Sequence, residues 1–346
     1  MKNVFRPGFP ALRTFAGLLA AGLLFSSCDD DKVTTEPAVV VAGQSVLVVN
    51  EGQFNQPNSA VSLYNKSTKA VERNLFQKQN QRELGNVAQS MTVIGDRGYI
   101  VVNADGRVEV VDMKNFKAVA QITNLSQPRY LTSTGSRAFL TEWRGNYPNY
   151  TAGRVSVIDL STNTVAQQIT VGVNPEQILL AGGKLYVANS YGNTLSVINP
   201  GNNTVESSVT VPDGPRQLAE DAAGNIWVLS DAFLTRFNPA TPTQQTRIGI
   251  TSDYRNGNLR LNAARDQVYV SIAGAVYRFA TTATALPTTP FLRRNLTGLG
   301  IDPQDNTVYA GAGSYTADGR VIRYTTTGTV IDSFNVAIAP NSFLFY

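Results

Sequence analysis

Histidine is absent from all 346 residues, and cysteine occurs once, at Cys28. Without imidazole there is no Ser-His-Asp triad, no Cys-His pair and no histidine-ligated zinc, iron or copper. With the one thiol near the start of the chain, cysteine chemistry is excluded from the rest. Neither a phosphate-cradling glycine loop nor an EF-hand pattern occurs. Carboxylates are left as acid–base groups. Asp112, Asp159 and Asp332 fall at or near expected strand ends, where Asn199 and Asn238 fill the equivalent place. Short acceptor side chains there bond their own backbone in turns. Asp302-Pro303-Gln304-Asp305-Asn306 has a faint likeness to a calcium loop but is read as a hairpin turn. Glu51, Glu142 and Glu176 are better placed. The residues predict no metal, no cofactor and no catalytic group.

Groups suited to recognition are more plentiful. Between the apolar runs lie Phe54 in the segment 51–59, then Trp143, Arg144, Tyr147 and Tyr150 in the segment 142–153. Tyr191 and Tyr315 stand in two further segments, and Tyr130 and Tyr254 near two others. Rings offer apolar area at low entropic cost, while amide and guanidinium groups satisfy a polar ligand. Large rings left in connecting segments point to binding rather than packing. Trp227 is different: it matches Tyr99 and Tyr186 inside apolar runs and is read as core.

The elements that must hold these groups repeat. Pro175 to Val211 reads as four short apolar runs divided by turn residues, and similar units start at Pro215, Pro128 and Ala88. Gly257 to Phe291 and Thr297 to Val336 are weaker copies. Ser45 to Phe76 supplies only three strands, SVLVVNEG, AVSLYNKST and KAVERNLF; the missing first strand is Pro340 to Tyr346 at the other end. Four strands in about 40 residues is the period of a propeller blade. Blades bury their faces only against neighbours, so the ring must close. The prediction is all-β: a seven-bladed β-propeller over 45–346, closed by the C-terminal strand on the N-terminal blade.

In that ring, the connections after the second and fourth strands share one face, and they carry nearly all the rings named above. The first strands begin at the channel mouth on the same face, with Gln89, Arg129, Glu176, Arg216, Asn258 and Asn341 at equivalent positions. Those groups either bind a ligand or bond one another and channel water.

The stretch LYVANSYGNTLSVINPGNNTV resembles the YVTN-type repeat of seven-bladed propellers. The opening VLVVNEGQFNQPNSAVSLYN is similar to the start of a family of Bacteroidota surface propeller lipoproteins. That resemblance implies surface display and, since some members capture cobalamin, a corrinoid ligand passed to an outer-membrane transporter.

Residues 1–27 read as a lipoprotein signal peptide: Lys2, Arg6 and Arg13 precede the apolar stretch Thr14 to Phe25, and Ser26-Ser27-Cys28 resembles a lipobox. Cys28 is then the lipidated first residue, and 28–44 an acidic, polar tether starting Asp29-Asp30-Asp31. This resembles a Bacteroidota surface-export signal, whereas in enterobacteria the same aspartate implies inner-membrane retention. Without the signal, Lys+Arg falls from 29 to 26 against 25 Asp+Glu, so the net charge drops from +4 to +1. No basic cluster follows, and a nucleic-acid partner is excluded. Three functions remain open. The first is non-enzymatic capture of a small or medium polar ligand. The second is a protein- or glycan-binding scaffold at the cell surface. The third, disfavoured by the missing histidine, is a lactonase-type enzyme.

Overall fold

The computed structural model describes residues 40–250 and 257–346. Cys28, the tether as far as residue 39, and Tyr254 lie outside the described residues.

Among the described residues, twenty-eight strands form seven four-stranded antiparallel sheets. Blade one contains β1 (Ser45–Asn50), β2 (Ala60–Asn65) and β3 (Val71–Glu72), followed by the helix α1 (Leu75–Asn80). Blade two is β4 (Ala88–Ile94), β5 (Arg97–Val102), β6 (Arg107–Asp112) and β7 (Ala118–Ile122). Blade three is β8 (Pro128–Thr134), β9 (Arg137–Arg144), β10 (Thr151–Asp159) and β11 (Thr164–Val173). Blade four is β12 (Pro175–Ala181), β13 (Lys184–Asn189), β14 (Thr194–Asn199) and β15 (Thr204–Thr210). Blade five is β16 (Gln217–Glu220), β17 (Ile226–Leu229), β18 (Phe233–Phe237) and β19 (Gln245–Gly249). Blade six is β20 (Asn258–Leu261), β21 (Gln267–Ile272), β22 (Ala275–Ala280) and β23 (Leu292–Arg293). Blade seven is β24 (Gly298–Ile301), β25 (Val308–Ala312), β26 (Asp318–Tyr324) and β27 (Val330–Ile338). The last strand, β28 (Pro340–Phe345), pairs with β1 and completes blade one as its inner strand.

The sequence of β1 shows why the ring forms. All six of its residues are buried. With a period of two, Leu47 and Val49 pack towards blade two with Ile100, Val102 and Val111, whereas Val46 and Val48 pack towards blade seven with Tyr309 and Val321. A strand apolar on both faces needs a neighbour on each side, and only a closed ring supplies both everywhere. At the seam the fit is close: a Cβ on Gly300 would sit 2.7 Å from that of Phe343, so β24 carries glycine where β28 crosses it. Trp227, Tyr99 and Tyr186 are buried between blades, as their pattern implied.

Two expectations are corrected. The segment read as the last strand of blade one keeps only two strand residues, and Leu75 and Phe76 belong to α1, where both are buried. Adjacent apolar residues on a strand point to opposite faces; a helix turn can bury both. Asp332 is no turn residue. It lies within β27 and pairs with Arg323 at 2.8 Å and Lys69 at 3.3 Å, while the Thr325 hydroxyl accepts the turn N–H of Thr327 at 3.3 Å. Asp112, Asp159, Asn199 and Asn238 do cap turns, each accepting a backbone N–H two residues on. Asp302 accepts the Gln304 N–H in a hairpin turn and pairs with Lys66 at 2.8 Å.

Candidate functional site

The inner strands begin at one mouth of the channel and wall a cavity of about 600 Å³. Gln89, Arg129, Glu176, Arg216, Asn258 and Asn341 all line it, and Thr297 of blade seven completes the circle. The rings cluster on one side, where Trp143 at the end of β9 and Tyr147 and Tyr150 from the β9–β10 connection meet Tyr191 from the β13–β14 connection. Tyr150 is the hub. Its ring meets Trp143 edge-on at 5.8 Å, Tyr147 at 6.5 Å and Tyr191 at 5.5 Å. Tyr147 stands at the rim, 79% exposed. Opposed aromatic edges and faces hold this wall rigid without filling the cavity.

The cavity floor is polar and largely self-bonded. Arg129 donates from Nε and Nη2 to both Glu176 oxygens at 3.0–3.1 Å and from Nη1 to Gln89 Oε1 at 2.5 Å. Its guanidinium also stacks on Trp143, 4.4 Å from the ring centroid. Burial works against the Arg129 charge, but Glu176, Tyr130 and Glu51 together outweigh it and hold the pKa above its usual value. Gln89 Nε2 donates to the Tyr130 hydroxyl at 3.2 Å. Burial first, and then the Glu176 charge, push the Tyr130 phenol up. Across the channel, Asn341 Nδ2 donates to Glu51 Oε1 at 2.9 Å. Burial, with the charge and hydrogen bonding of Glu51, pushes the Tyr315 phenol up to about 12. Arg216 pairs with Asp231 at 3.5 Å. Gln177 Oε1 accepts the Leu218 N–H at 2.7 Å and Gln217 Oε1 that of Leu259 at 2.9 Å, so amide side chains stitch β12 to β16 and β16 to β20.

The structure does not bring every singled-out residue here. Phe54 stands 68% exposed on the blade-one connection, away from the cavity. Arg144 ends β9 exposed to solvent, also outside it. Tyr130 lies on the inner strand β8 rather than in a connection after a fourth strand. Glu142 is buried beneath the aromatic connection, where it accepts Arg154 Nη2 at 2.8 Å, the Ser126 N–H at 2.5 Å and the Ser156 hydroxyl. With its lone pairs occupied, it secures the base of that connection instead of facing a ligand. Ser190, which the sequence places on the same connection as Tyr191, lines the cavity, as do Asn174 and Arg260, which escaped notice in the sequence. Arg260 sits two residues past the aligned channel position, a place visible only through strand register. Among the described residues no three acidic, histidine or cysteine side chains group as metal ligands.

A ring of seven blades with a ligand-sized cavity at one channel mouth defines the class: a closed seven-bladed β-propeller. Within that class the chain belongs to the family of the domain of unknown function DUF5074, whose pattern matches residues 44–337. No curated protein matches it in sequence. Among solved structures it is similar to a quinoprotein alcohol dehydrogenase-like protein from Bacteroides thetaiotaomicron. That match has 12% identity and a TM-score of 0.67 over 88% of this chain and 78% of that one. A 6-phosphogluconolactonase candidate from Bacteroides fragilis matches with 16% identity and TM-score 0.64 over 90% and 100%. A functionally unknown protein from Desulfotomaculum acetoxidans matches with 12% identity and TM-score 0.66 over 87% and 98%. At such identities the likeness is one of fold.

Proposed function

We propose that this chain is a lipid-anchored binding protein displayed on the outer membrane, and that the mouth cavity holds a small or medium polar ligand for delivery to an outer-membrane transporter. The observation that carries the reading is the joining of a preorganised aromatic wall to a self-bonded polar ring in one cavity. About 600 Å³ lies within the range of small-molecule sites, which combine apolar walls with a few placed polar groups. The anchor and surface display rest on Cys28 and the acidic run behind it. Turnover has little support: among the described residues the cavity carboxylates are Glu51 and Glu176, and they are bonded to Asn341 and Arg129. No imidazole is present to move a proton.

A corrinoid is the specific ligand suggested by the resemblance to surface propeller lipoproteins. A body of that size would seat one edge in the cavity and lie against the rim rings Tyr147 and Tyr191. Isothermal titration with cyanocobalamin, comparing wild type with Trp143→Ala/Tyr150→Ala, tests both parts. The expected result is saturable heat for the wild type alone. No heat from the wild type removes the corrinoid, and equal heat from both proteins removes the aromatic wall as its site. The 79% exposure of Tyr147 also favours a second reading, in which the rim docks a protein or glycan at the cell surface.

A further inference from the structure

We infer that Arg260 anchors an oxyanion of the ligand, a carboxylate or phosphate group on an organic molecule whose planar or apolar body lies along the aromatic wall. This rests on the reading of the cavity as a ligand site.

The first observation is the position of Arg260 in the repeat. On β20 it faces Tyr269 of β21. On the matching rung of other blades, an aromatic residue of the second strand faces Thr92, Thr132, Leu179, Ala219 or Gly300. Each of those is small or uncharged, so blade packing does not call for a cation on this rung. Blade six alone among these carries one, and its side chain lines the cavity.

The second observation is how the guanidinium is bonded. Arg129 has Glu176 and Arg216 has Asp231 as carboxylate partners. Arg260 has none among the described residues. Both of its hydrogen bonds leave Nη1, to Gln217 Oε1 at 2.8 Å and to the Leu259 carbonyl at 2.7 Å, and both acceptors are neutral. Nε and Nη2 make no hydrogen bond to the described protein. These two nitrogens form one edge of the guanidinium, and that edge takes two oxygens of one oxyanion side by side. The Nη1 bonds hold the group in place while leaving the fork open.

Burial sharpens the need. Removal from water lowers the pKa of Arg260 and outweighs the opposing effect of Tyr130. A guanidinium placed in such a site without a carboxylate costs stability unless a bound anion offsets it. The cavity's own carboxylates do not: Glu176 is taken up by Arg129, and Glu51 by Asn341 and Tyr315.

Three probes with one ring system test the inference: 2-naphthoate, 2-naphthyl phosphate and neutral 2-naphthamide, titrated calorimetrically into the mature protein. Wild type should bind an anionic probe at least about tenfold more tightly than the amide. Arg260→Gln should abolish that preference while leaving amide affinity within about twofold, and Arg260→Lys, keeping charge but not the fork, should fall between them. The anion that loses more on Arg260→Gln identifies carboxylate or phosphate as the group recognised. Circular dichroism of both variants establishes that each is folded. If both anions and the amide bind wild type equally, or Arg260→Gln retains the preference, the inference fails while the cavity stands as a ligand site. If none of the three binds, the cavity reading fails and takes this inference with it.

Discussion

The guanidinium of Arg129 lies over the indole of Trp143 at 4.4 Å while forming a two-pronged pair with Glu176 of the next blade. A single side chain therefore couples the aromatic wall, the channel floor and the interface between blades three and four. The side chains of Arg129 and Glu176 are only 16% and 6% exposed, so the pair is screened little by solvent.

Glu176→Gln should therefore cost about 2–3 kcal/mol of folding stability, because it leaves Arg129 buried without its carboxylate. Urea denaturation measures this. A change below about 0.5 kcal/mol would show that water already satisfies the pair.

Ring closure gives the second prediction. β28 bonds β1 along its length, Phe343 and Phe345 pack on Tyr309, and the Thr297 hydroxyl donates to the Pro340 carbonyl at 2.6 Å. Deleting 340–346 strips blade one of its inner strand and exposes β1. Thermal unfolding should lose its single sharp transition, and Phe343→Ala alone should cost about 1–3 kcal/mol. An unchanged transition after deletion would mean that the ring closes some other way.

The ring, its blade count and its closure could be read from period and pattern, because strand alternation and turn chemistry are local and repeat seven times. So could the aligned channel positions, since one repeat indexes the next. What could not be read was direction. Glu142 and Glu176 look alike in sequence, yet one is buried under Arg154, Ser126 and Ser156 while the other faces the channel. Arg260 was missed because its meaning lies in a rung, and rungs need register across two strands. Arg144 and Phe54 were placed by composition alone, which says that a connection can bind but not which of its side chains turn inward.

Tyr315 gives a pH prediction. Its phenol is pushed up to about 12, so the protonated form is favoured in the folded state. The associated stability is fully present below the unfolded phenol value near 10 and is lost as pH rises through about 12. The ring is half exposed, which keeps the contribution small. In a spectrophotometric alkaline titration, Tyr315→Phe should remove one phenol ionising near 12. If the variant instead loses a phenol ionising near the usual 10, neither burial nor Glu51 acts on it.

The anchor is tested by Cys28→Ser. Acyl chains on Cys28 are the proposed apolar attachment, and without them the chain should leave the membrane fraction. Retention of the serine variant with membranes after a high-salt wash would end the lipoprotein reading.

The aromatic wall makes the most specific prediction about binding. Among the described residues Tyr150 meets three other rings, whereas Tyr147 meets only Tyr150 and is mostly in water. Truncating the half-buried hub removes its own contact with the ligand and also frees Trp143 and Tyr191 to move, so preorganisation is lost with the contact. Truncating the rim ring removes one partly hydrated contact. Tyr150→Ala should therefore weaken ligand binding by about 2 kcal/mol or more, roughly thirtyfold, and Tyr147→Ala by less than about 1 kcal/mol. Neither ring belongs to the interblade core, so melting temperatures should shift little. Calorimetric titration of both variants with whichever ligand binds the wild type measures the order directly. The reverse order, with Tyr147→Ala the more damaging, would move the binding surface from the cavity to the rim and favour docking of a macromolecule over capture of a small molecule.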